Sequence, residues 1–361
     1  MDFPKAAERI VMAWMKGRAK AMPLTLGTLL LLAAGAADLA VSGRYDDGTS
    51  SFEASLDSDG PVFEVVQALL ALAGLGLISL GGWRWRKDYL DDRRRRERRL
   101  TVVIEQRGLA ASLDTPLINF VRGKCDVQLR STLIDTTPFA TASGVVDPSA
   151  ALRETARIRQ ACEAVASDAA REDVTFLYGG IAPVPLTFLA GVLMGSEGRV
   201  MLVDWDRQAG SWRTLNTSDD GERFEILGME LLSPPVREVG LAVETSAYGL
   251  DETGFAAAFP GMPVIRLRLP TLGLNTHWSE TKQAALADTF VSVSADLGRR
   301  GVATIHATLV AQNSLVFRCG RVYSVRNLPE LRVYQYERSS TQVFPWGIRM
   351  PTHSNAAPSL V

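Results

Sequence analysis

The sequence predicts an α/β protein with an α-helical membrane hairpin at its N-terminal end. Two apolar segments lie within the first 83 residues, and short apolar strands alternate with helices from Thr101 onward. Such alternation is typical of a parallel sheet covered by helices on both faces. A repeat within the α/β part further indicates two fused copies of one unit.

The two apolar segments are Pro23–Gly43 and Val62–Trp83. A bilayer core of roughly 30 Å requires about 20 apolar residues in a helix, and each segment is that long. We therefore expect two transmembrane helices joined by an acidic loop, Arg44–Pro61. A cleaved signal peptide is the alternative for the first segment, although its apolar stretch is longer than a signal core.

Charge is distributed unevenly along the chain, although the formal net charge is only −1. The segments Met1–Met22 and Arg84–Arg99 are basic, whereas the loop between the spans carries five acidic residues and one arginine. Lysine and arginine remain on the cytoplasmic side of spanning helices. We therefore expect the N-terminus and the C-terminal domain in the cytoplasm and the acidic loop outside.

Three features of the membrane part each leave two interpretations open. The segment Phe3–Lys20 is an amphipathic helix by pattern, either lying in the headgroup plane or packing on the soluble domain. The arginines of Arg84–Arg99 anchor the topology beside Trp83 and Trp85, with nucleic-acid binding as the alternative. Asp38 lies in the first span and is expected to face a helix interface or water, unless it reaches the outer surface.

The chemistry-bearing residues are sparse. The cysteines (Cys125, Cys162, Cys319) and the histidines (His277, His306, His353) are scattered, and no hydrolase, zinc-protease or P-loop motif occurs. We expect no catalytic residue, no metal and no cofactor.

The strands and helices of the α/β part follow in two series. The first series contains strand Val102–Glu105, helix Ala150–Ala170, strand Val174–Tyr178, helix Pro183–Met194 and strand Val200–Asp204. The second contains strand Leu241–Thr245, helix Glu280–Leu297, strand Thr304–Thr308, helix Ser314–Val325 and strand Leu331–Tyr336. Prolines in the first turn of Pro183–Met194 are compatible with a helix start.

The two series align without gaps over a strand, a loop and a helix. Sliding the chain by 129 residues places Thr175 on Thr304, and Gly191 on Gly320. Agreement at apolar positions alone is expected for any two strand–helix units. Duplication explains more easily why the strand, the loop and the helix follow in the same order in both series. We expect four regions: residues 1–22, the hairpin and basic linker 23–99, and the two halves 100–240 and 241–361.

Ligands of open α/β sheets bind outside the carboxyl ends of the strands, so we place the candidate site there. The first half contributes Gln106, Arg107, Tyr178, Gly179, Gly180, Ala182 and Pro183. The second half contributes Ser246, Tyr248, Thr308, Gln312 and Asn313, together with Trp278 from the loop before a helix. The glycine pair allows close backbone approach of an anion, although an ordinary tight turn explains the pair better when it is taken alone. Two copies of the loop facing one cleft are the stronger signal.

Several candidates also have a purely structural interpretation. Arg107 either contacts a phosphate or forms an ion pair. Trp278 and Tyr248 are candidates for stacking on a base. Trp205 and Trp212 are expected to pack in the core, and His306 to lie in the sheet.

The stretches Phe176–Leu215 and Ile305–Glu337 resemble the core motif of SAVED domains: a strand, a short loop, a helix and a second strand. The resemblance covers about Thr101–Pro351 and implies two fused Rossmann-like (CARF-like) units that bind a cyclic oligonucleotide. Two spans before the domain resemble the transmembrane SAVED effectors of CBASS antiphage defence. One departure is that Ala182-Pro183 in the first copy corresponds to Ala311-Gln312-Asn313 in the second, which implies unequal half-sites.

The resemblance implies a bacterial inner-membrane effector. Its expected partners are a cyclic di- or trinucleotide made by a CD-NTase, membrane lipids and further copies of the chain, but no DNA or RNA polymer. Ligand-driven oligomers would then disrupt the membrane and kill the infected cell. The alternatives are a membrane enzyme that degrades the cyclic oligonucleotide and a non-catalytic structural membrane protein.

Overall fold

The computed structural model describes residues 22–35, 42–46, 51–55, 61–109, 115–122, 127–141, 144–232, 236–324, 326–338, 340–352 and 357–361. The expected helix Phe3–Lys20 and the membrane residue Asp38 lie outside these ranges. The chain forms two compact units, Met1–Glu97 and Arg98–Val361.

The described part of the N-terminal unit contains two helices and a small hairpin. Helix α1 spans Met22–Gly35, strands β1 (Ser42–Asp46) and β2 (Ser51–Ser55) follow, and helix α2 spans Pro61–Arg98. Within α2, the stretch Glu64–Leu90 has a mean hydropathy of 2.0 and is long and apolar enough to cross a membrane. It is the only helix in the described part of the chain that meets both criteria. The arginine segment continues this helix, as its sequence predicted.

Two glycines allow α1 and α2 to pack closely. A Cβ atom on Gly27 would lie 2.8 Å from the carbonyl oxygen of Gly74, and one on Gly74 would lie 2.9 Å from that of Gly27. Helices in membranes often meet at such small residues, because backbone contact supplies the packing that the hydrophobic effect does not. The two apolar helices therefore form a hairpin with a glycine contact.

The acidic segment between the spans is not the simple loop expected from its charge. Strand β1 pairs antiparallel with β2, with Ser42 opposite Ser55 and Tyr45 opposite Phe52. The expectation that the first span continues to Gly43 is therefore wrong, because Ser42 and Gly43 belong to the strand. The dipeptide Asp47-Gly48 between these strands is a hairpin signal in the sequence.

The first half of the C-terminal unit is a five-stranded sheet. Its elements are β3 (Leu100–Arg107), α3 (Leu117–Arg122), β4 (Gln128–Asp135), the short pair β5 (Ala140–Thr141) and β6 (Gly144–Val145), α4 (Pro148–Asp168), β7 (Val174–Ile181), α5 (Val184–Leu193), β8 (Arg199–Asp206) and β9 (Ser211–Thr214). The strand order is β4-β3-β7-β8-β9. All neighbouring strands are parallel except β8 and β9.

The second half is a seven-stranded sheet. Its elements are β10 (Glu225–Leu227), β11 (Glu238–Glu244), α6 (Glu252–Ala258), β12 (Val264–Arg268), α7 (Glu280–Arg299), β13 (Thr304–Val310), α8 (Asn313–Val322), β14 (Glu330–Gln335), β15 (Trp346–Arg349) and β16 (Ser359–Leu360). The strand order is β10-β12-β11-β13-β14-β15-β16.

The two sheets share one topology, as the repeat predicted. The order β12-β11-β13-β14-β15 reproduces β4-β3-β7-β8-β9, with the same three parallel contacts and the same antiparallel last strand. Helices α5 and α8 occupy the same place in the two copies, and their ends differ by the predicted 129 positions. The fold is thus two fused Rossmann-like units.

One hydrophobic core spans both halves, because α5 and α8 pack against each other between the two sheets. The phenylalanines Phe188 of α5 and Phe317 of α8 are fully buried in it. Helix α5 is apolar on nearly every face, since Pro185 to Leu193 lie almost entirely in the interior. The surrounding helices begin at side-chain caps: Asp147 before α4, Asp251 before α6 and Ser279 before α7.

Candidate ligand-binding site

A pocket of about 410 Å³ lies at the carboxyl ends of the strands of the second sheet. The loop after β11, the loop before α7 and the ends of β13 and β14 form most of it. The end of β8 and the start of the turn after it, residues 204–208 of the first half, border it from the other side, together with Ile181 and Val184. Its volume lies in the range of small-molecule sites, and its place agrees with the rule for open α/β sheets.

The structure brings the second-half candidates together at this pocket. The predicted residues that line it are Ser246, Tyr248, Trp278, Thr308, Gln312 and Asn313. Tyr248 is 79% exposed at the surface of the molecule, whereas Thr308 is buried. The Gln312 side chain is already engaged, because it accepts a hydrogen bond from Thr245 Oγ1 at 2.8 Å and donates one to the Gly273 carbonyl at 3.0 Å.

The first-half candidates lie outside the described pocket lining. They are Gln106, Arg107, Tyr178, Gly179, Gly180, Ala182 and Pro183. Two of them bond to each other in the core, since the Tyr178 hydroxyl donates to Gln106 Oε1 at 2.6 Å and both side chains are buried. Arg107 forms an ion pair of 2.6 Å with Glu105, which fits its structural interpretation. The loop residues 110–114 after β3 are outside the described ranges.

In the glycine pair of the first half, Gly179 allows close packing and Gly180 forms a hydrogen bond to the second half. A Cβ on Gly179 would lie 2.8–3.0 Å from Val203, Leu117 and Trp212. The carbonyl of Gly180 accepts a hydrogen bond of 3.1 Å from the Asn313 side chain. Ala182 is buried, and Pro183 directly precedes α5. These glycines therefore sit in a packed strand end, so the pocket is built unequally from the two halves.

Two further hydrogen bonds join the halves beside the pocket. The Ser314 amide donates to Asp204 Oδ2 at 2.9 Å, and the Val184 amide donates to Gln335 Oε1 at 3.0 Å. Each bond satisfies a backbone donor in the first turn of a helix, where the chain itself offers no acceptor. The pocket wall is thus fixed by side chains that cross from one half to the other.

Trp278 is packed and does not present an open ring. It is 4% exposed, and its indole N–H donates to Asn275 Oδ1 at 3.1 Å. The guanidinium of Arg213 lies 4.5 Å from its ring centroid, and the His277 ring centroid lies 4.1 Å away. Trp212 is buried as expected, whereas Trp205 is only partly buried and lines the pocket.

Sequence reasoning missed the end of β8 and the turn that follows it. Asp204, Asp206, Arg207 and Gln208 all line the pocket. Asp206 accepts hydrogen bonds from the amides of Ala209 and Gln208, both at 3.0 Å. The Ala209 N–H contributes most to holding the pKa of Asp206 below its usual value. Alternating carboxylates at the end of an apolar strand were the signal in the sequence.

The described residues carry no sign of metal or thiol chemistry. Among them, no three His, Cys, Asp or Glu side chains are grouped so that they could hold a metal ion. Burial raises the pKa of both Cys162 and Cys319 to about 12, so neither is a reactive thiolate.

Comparison with protein families identifies both parts of the chain. Residues 158–350 match the family model SAVED, described as a SMODS-associated sensor domain fused to various effectors. This match covers more than half of the sequence. The chain belongs to the SAVED family. Residues 4–152 match the SAVED-fused 2TM effector domain, which implies a membrane effector with two transmembrane spans.

The boundary between the two family matches differs from the boundary in the structure. The effector match extends to residue 152, whereas the compact C-terminal unit begins at Arg98. Strands β3 and β4 therefore belong structurally to the SAVED sheet, since β3 pairs with β7 along its whole length. The protein combines a SAVED sensor domain with a two-span effector domain.

Similar solved structures are SAVED/CARF receptors named Cap4. The Acinetobacter baumannii receptor with 3′3′3′-cAAA has a TM-score of 0.47 at 11% identity, covering 80% of this chain and 59% of the receptor. The same receptor with 2′3′3′-cAAA has a TM-score of 0.45 at 10% identity, covering 77% and 57%. The Moraxella osloensis receptor has a TM-score of 0.41 at 9% identity, covering 77% and 56%.

The chain thus spans less than three fifths of the length of these receptors. The comparison with curated proteins found no match.

Proposed function

We propose that this SAVED protein is an antiphage (CBASS) effector of the bacterial inner membrane. Its SAVED domain binds a cyclic di- or trinucleotide made by a CD-NTase. Binding leads the chains to oligomerise, and the oligomer disrupts the membrane and kills the cell. In this proposal the N-terminus and the SAVED domain are cytoplasmic, and no DNA or RNA polymer is bound.

The observation that carries the proposal is the pocket at the carboxyl ends of the second sheet. A sensor domain needs a cavity of ligand size, and about 410 Å³ is adequate for several groups of a nucleotide. The lining combines apolar surface with amide, hydroxyl and aromatic side chains, including Asn313, Ser246 and Tyr248. Exposed Arg207 lies at the pocket, where it can meet a phosphate.

Signal transfer requires an equilibrium that ligand binding to the SAVED domain shifts and that also changes the state of the membrane helices. A ligand shifts a conformational or association equilibrium only by binding one state better than the other. Only Arg99 separates helix α2, which ends at Arg98, from strand β3, which begins at Leu100. Association of SAVED domains would therefore bring the attached membrane helices together. Two helices cannot enclose a pore, so any leak requires several chains.

The proposal contains no catalytic step, so the ligand is released from the pocket chemically unaltered. We assign Asp38 a role in the leak through the membrane, because a carboxylate within a span is energetically costly. When oligomerisation crowds several copies of Asp38 together, their mutual repulsion favours the entry of water. The rival enzyme would consume the cyclic oligonucleotide. A time course of ligand integrity in the presence of the protein separates the two functions.

The experiment uses the full chain in detergent and a panel of synthetic cyclic di- and trinucleotides. We expect one member to raise the melting temperature and to produce larger species on a sizing column. That member should depolarise cells that express the wild type, while Asp38→Leu should oligomerise normally and leak less. If no member binds, the sensor function is wrong. Binding and depolarisation without a change in size would exclude oligomerisation as the trigger.

A further inference from the structure

His277 is a buried histidine in the pocket wall whose ring nitrogens have no hydrogen-bonding partner in the part of the chain that the structure describes. It lies in the loop before α7 and is 5% exposed. Neither Nδ1 nor Nε2 makes a hydrogen bond within the described residues. Buried polar groups in native proteins are nearly always paired with protein or water. An unpaired ring in the wall of a pocket therefore points to a partner supplied by whatever occupies that pocket.

The neighbouring residues pack around the His277 ring but do not form hydrogen bonds with its nitrogens within the described residues. Nε2 lies 3.6 Å from Asp204 Oδ2, which is too long for a good hydrogen bond. The same oxygen already accepts the Ser314 amide. The Leu274 carbonyl lies near the ring and favours its protonated form, but no hydrogen bond is formed there. The Trp278 ring packs beside the imidazole at 4.1 Å between centroids.

Burial favours the neutral form of His277 in the empty pocket. Burial is the main cause that lowers its pKa below the usual value; Asp204 and Asp206 of β8 oppose this effect, and Arg213 of β9 adds to it. The neighbouring side chains of α7 and α8, Gln283 and Ser314, are polar but uncharged. A neutral imidazole thus stands close to two carboxylates.

An anionic ligand entering this pocket meets more negative than positive charge. Asp204 and Asp206 both line it, whereas Arg207 is the only lysine or arginine among the described lining residues. A cyclic oligonucleotide carries a negative charge on each phosphate. Binding is therefore helped by any group that can become positive when the ligand arrives, and histidine is the side chain best suited to this near neutral pH.

We propose that His277 contacts the bound ligand and takes up a proton as a phosphate settles against it. The proposal rests on the proposed function, which supplies an anionic ligand for this pocket. The proton comes from solvent, and no covalent bond changes. The imidazolium has two N–H donors, so it can form a charge-assisted hydrogen bond to a phosphate oxygen while its other nitrogen approaches Asp204.

Proton uptake makes ligand affinity depend on pH in a defined direction. The complex holds one more proton than the free protein, so affinity is greatest below the pKa of His277 in the empty pocket. It then falls by up to about tenfold per pH unit until the pKa of the complex is passed, and it is constant above that value. A neutral hydrogen bond from His277 would give no such slope.

The test is calorimetric titration of the full chain in detergent with a panel of cyclic di- and trinucleotides. Each titration is repeated in two buffers of different protonation enthalpy, which gives the number of protons taken up. We expect an uptake that approaches one proton per chain in the wild type at a pH between the pKa of His277 in the empty pocket and its pKa in the complex. His277→Gln keeps hydrogen-bonding groups but cannot be protonated, so uptake should fall to about zero.

The matched control is His306→Gln. His306 is equally buried, but it has Tyr334 and Glu238 as partners and does not line the pocket. Binding without proton uptake, or equal uptake in His277→Gln, would overturn the inference. If no panel member binds the wild type, the proposed function fails instead. Should His277→Gln not fold, NMR of 13C-labelled histidines in the wild type decides, because the pKa of His277 must rise on ligand binding.

Discussion

Asp204 and Gln335 occupy equivalent positions in the two halves, and each caps a helix of the opposite half. The equivalence follows from the registers, since Thr175 pairs with Arg199 in the first sheet and Thr304 with Glu330 in the second. The two capping residues lie five positions further along β8 and β14. Asp204 accepts the Ser314 amide of α8, and Gln335 accepts the Val184 amide of α5.

The first prediction concerns these reciprocal caps. Asp204→Ala leaves a buried amide of α8 without its acceptor and should lower the free energy of unfolding by about 1–2 kcal/mol. Gln335→Ala should cost about 1 kcal/mol or less, because the lost acceptor is uncharged. Thermal or denaturant unfolding of the full chain in detergent measures both.

A control within one half is Asp147→Ala, which removes the cap of α4. It should lower stability by a similar amount without altering the contact between the halves. Hydrogen exchange at the start of α8 should therefore increase in Asp204→Ala and not in Asp147→Ala. Equal exchange in the two variants would contradict the assigned role of Asp204.

The second prediction concerns the glycines at the crossing of α5 and α8. A Cβ on Gly191 would collide with the carbonyl oxygen of Phe317, and one on Gly320 with that of Phe188. Backbone atoms cannot move aside as a side chain can, so Gly191→Ala and Gly320→Ala should each cost about 2–3 kcal/mol. The double variant should cost less than the sum, because one separation of the helices relieves both collisions.

Gly198→Ala is the matched control, since a Cβ there meets no atom within 4 Å among the residues that the structure describes. Its melting temperature should remain close to that of the wild type. Additive costs in the double variant would show that the two glycines do not share one contact.

The sequence predicted the doubled topology because strand and helix periodicity is a local property. The repeat from Thr175 onto Thr304 is visible as matched apolar positions, and in the structure five strands follow in the same order in both sheets. Local pattern also found the second-half strand ends. It could not show that Gln106 and Tyr178 of the first half bond to each other across two strands, or that neither side chain lines the pocket.

The missed parts depend on contacts between distant segments. The turn after β8 borders a pocket of the other half, and nothing within Asp206–Gly210 indicates that neighbour. His277 gives no local signal, because its lack of partners is a property of the packed structure. Similarly, the guanidinium of Arg213 over the Trp278 ring comes from a distant strand, so the local sequence gives no sign of that contact.

The third prediction concerns Lys282, which is 1% exposed and forms ion pairs with Asp220 at 2.7 Å and Glu222 at 3.0 Å. Burial opposes the ionisation of Asp220, but hydrogen bonds from Lys282 and the Glu222 amide outweigh it and lower its pKa. The pKa of Glu222 is lowered first by the Thr271 hydroxyl and then by Lys282. Asp220 and Glu222 lie in the segment that connects the two halves. Their ion pairs with Lys282 hold this segment against helix α7.

Both carboxyl groups have lower pKa values in the folded chain than their ordinary values of 3.8 and 4.5. Their contribution to stability is therefore present above those values and is lost as pH falls through the lowered folded values. The melting temperature should fall between about pH 5 and about pH 3 more steeply in the wild type than in Lys282→Met. Parallel curves would show that Lys282 does not carry this acid dependence.

The last prediction concerns the contact of Gly27 and Gly74 in the membrane hairpin. Gly27→Leu and Gly74→Leu place a side chain against the backbone of the opposite helix and should separate α1 from α2. Gly76→Leu adds the same side chain to α2 at a position where a Cβ meets no atom of the described residues within 4 Å, so it is the matched control. All three variants retain apolar helices and should reach the membrane fraction. If a closed hairpin is the unit that disrupts the membrane, depolarisation should decrease strongly in the first two variants and remain near wild type in Gly76→Leu. Equal depolarisation in all three, with equal protein levels, would mean that the helices act without this contact.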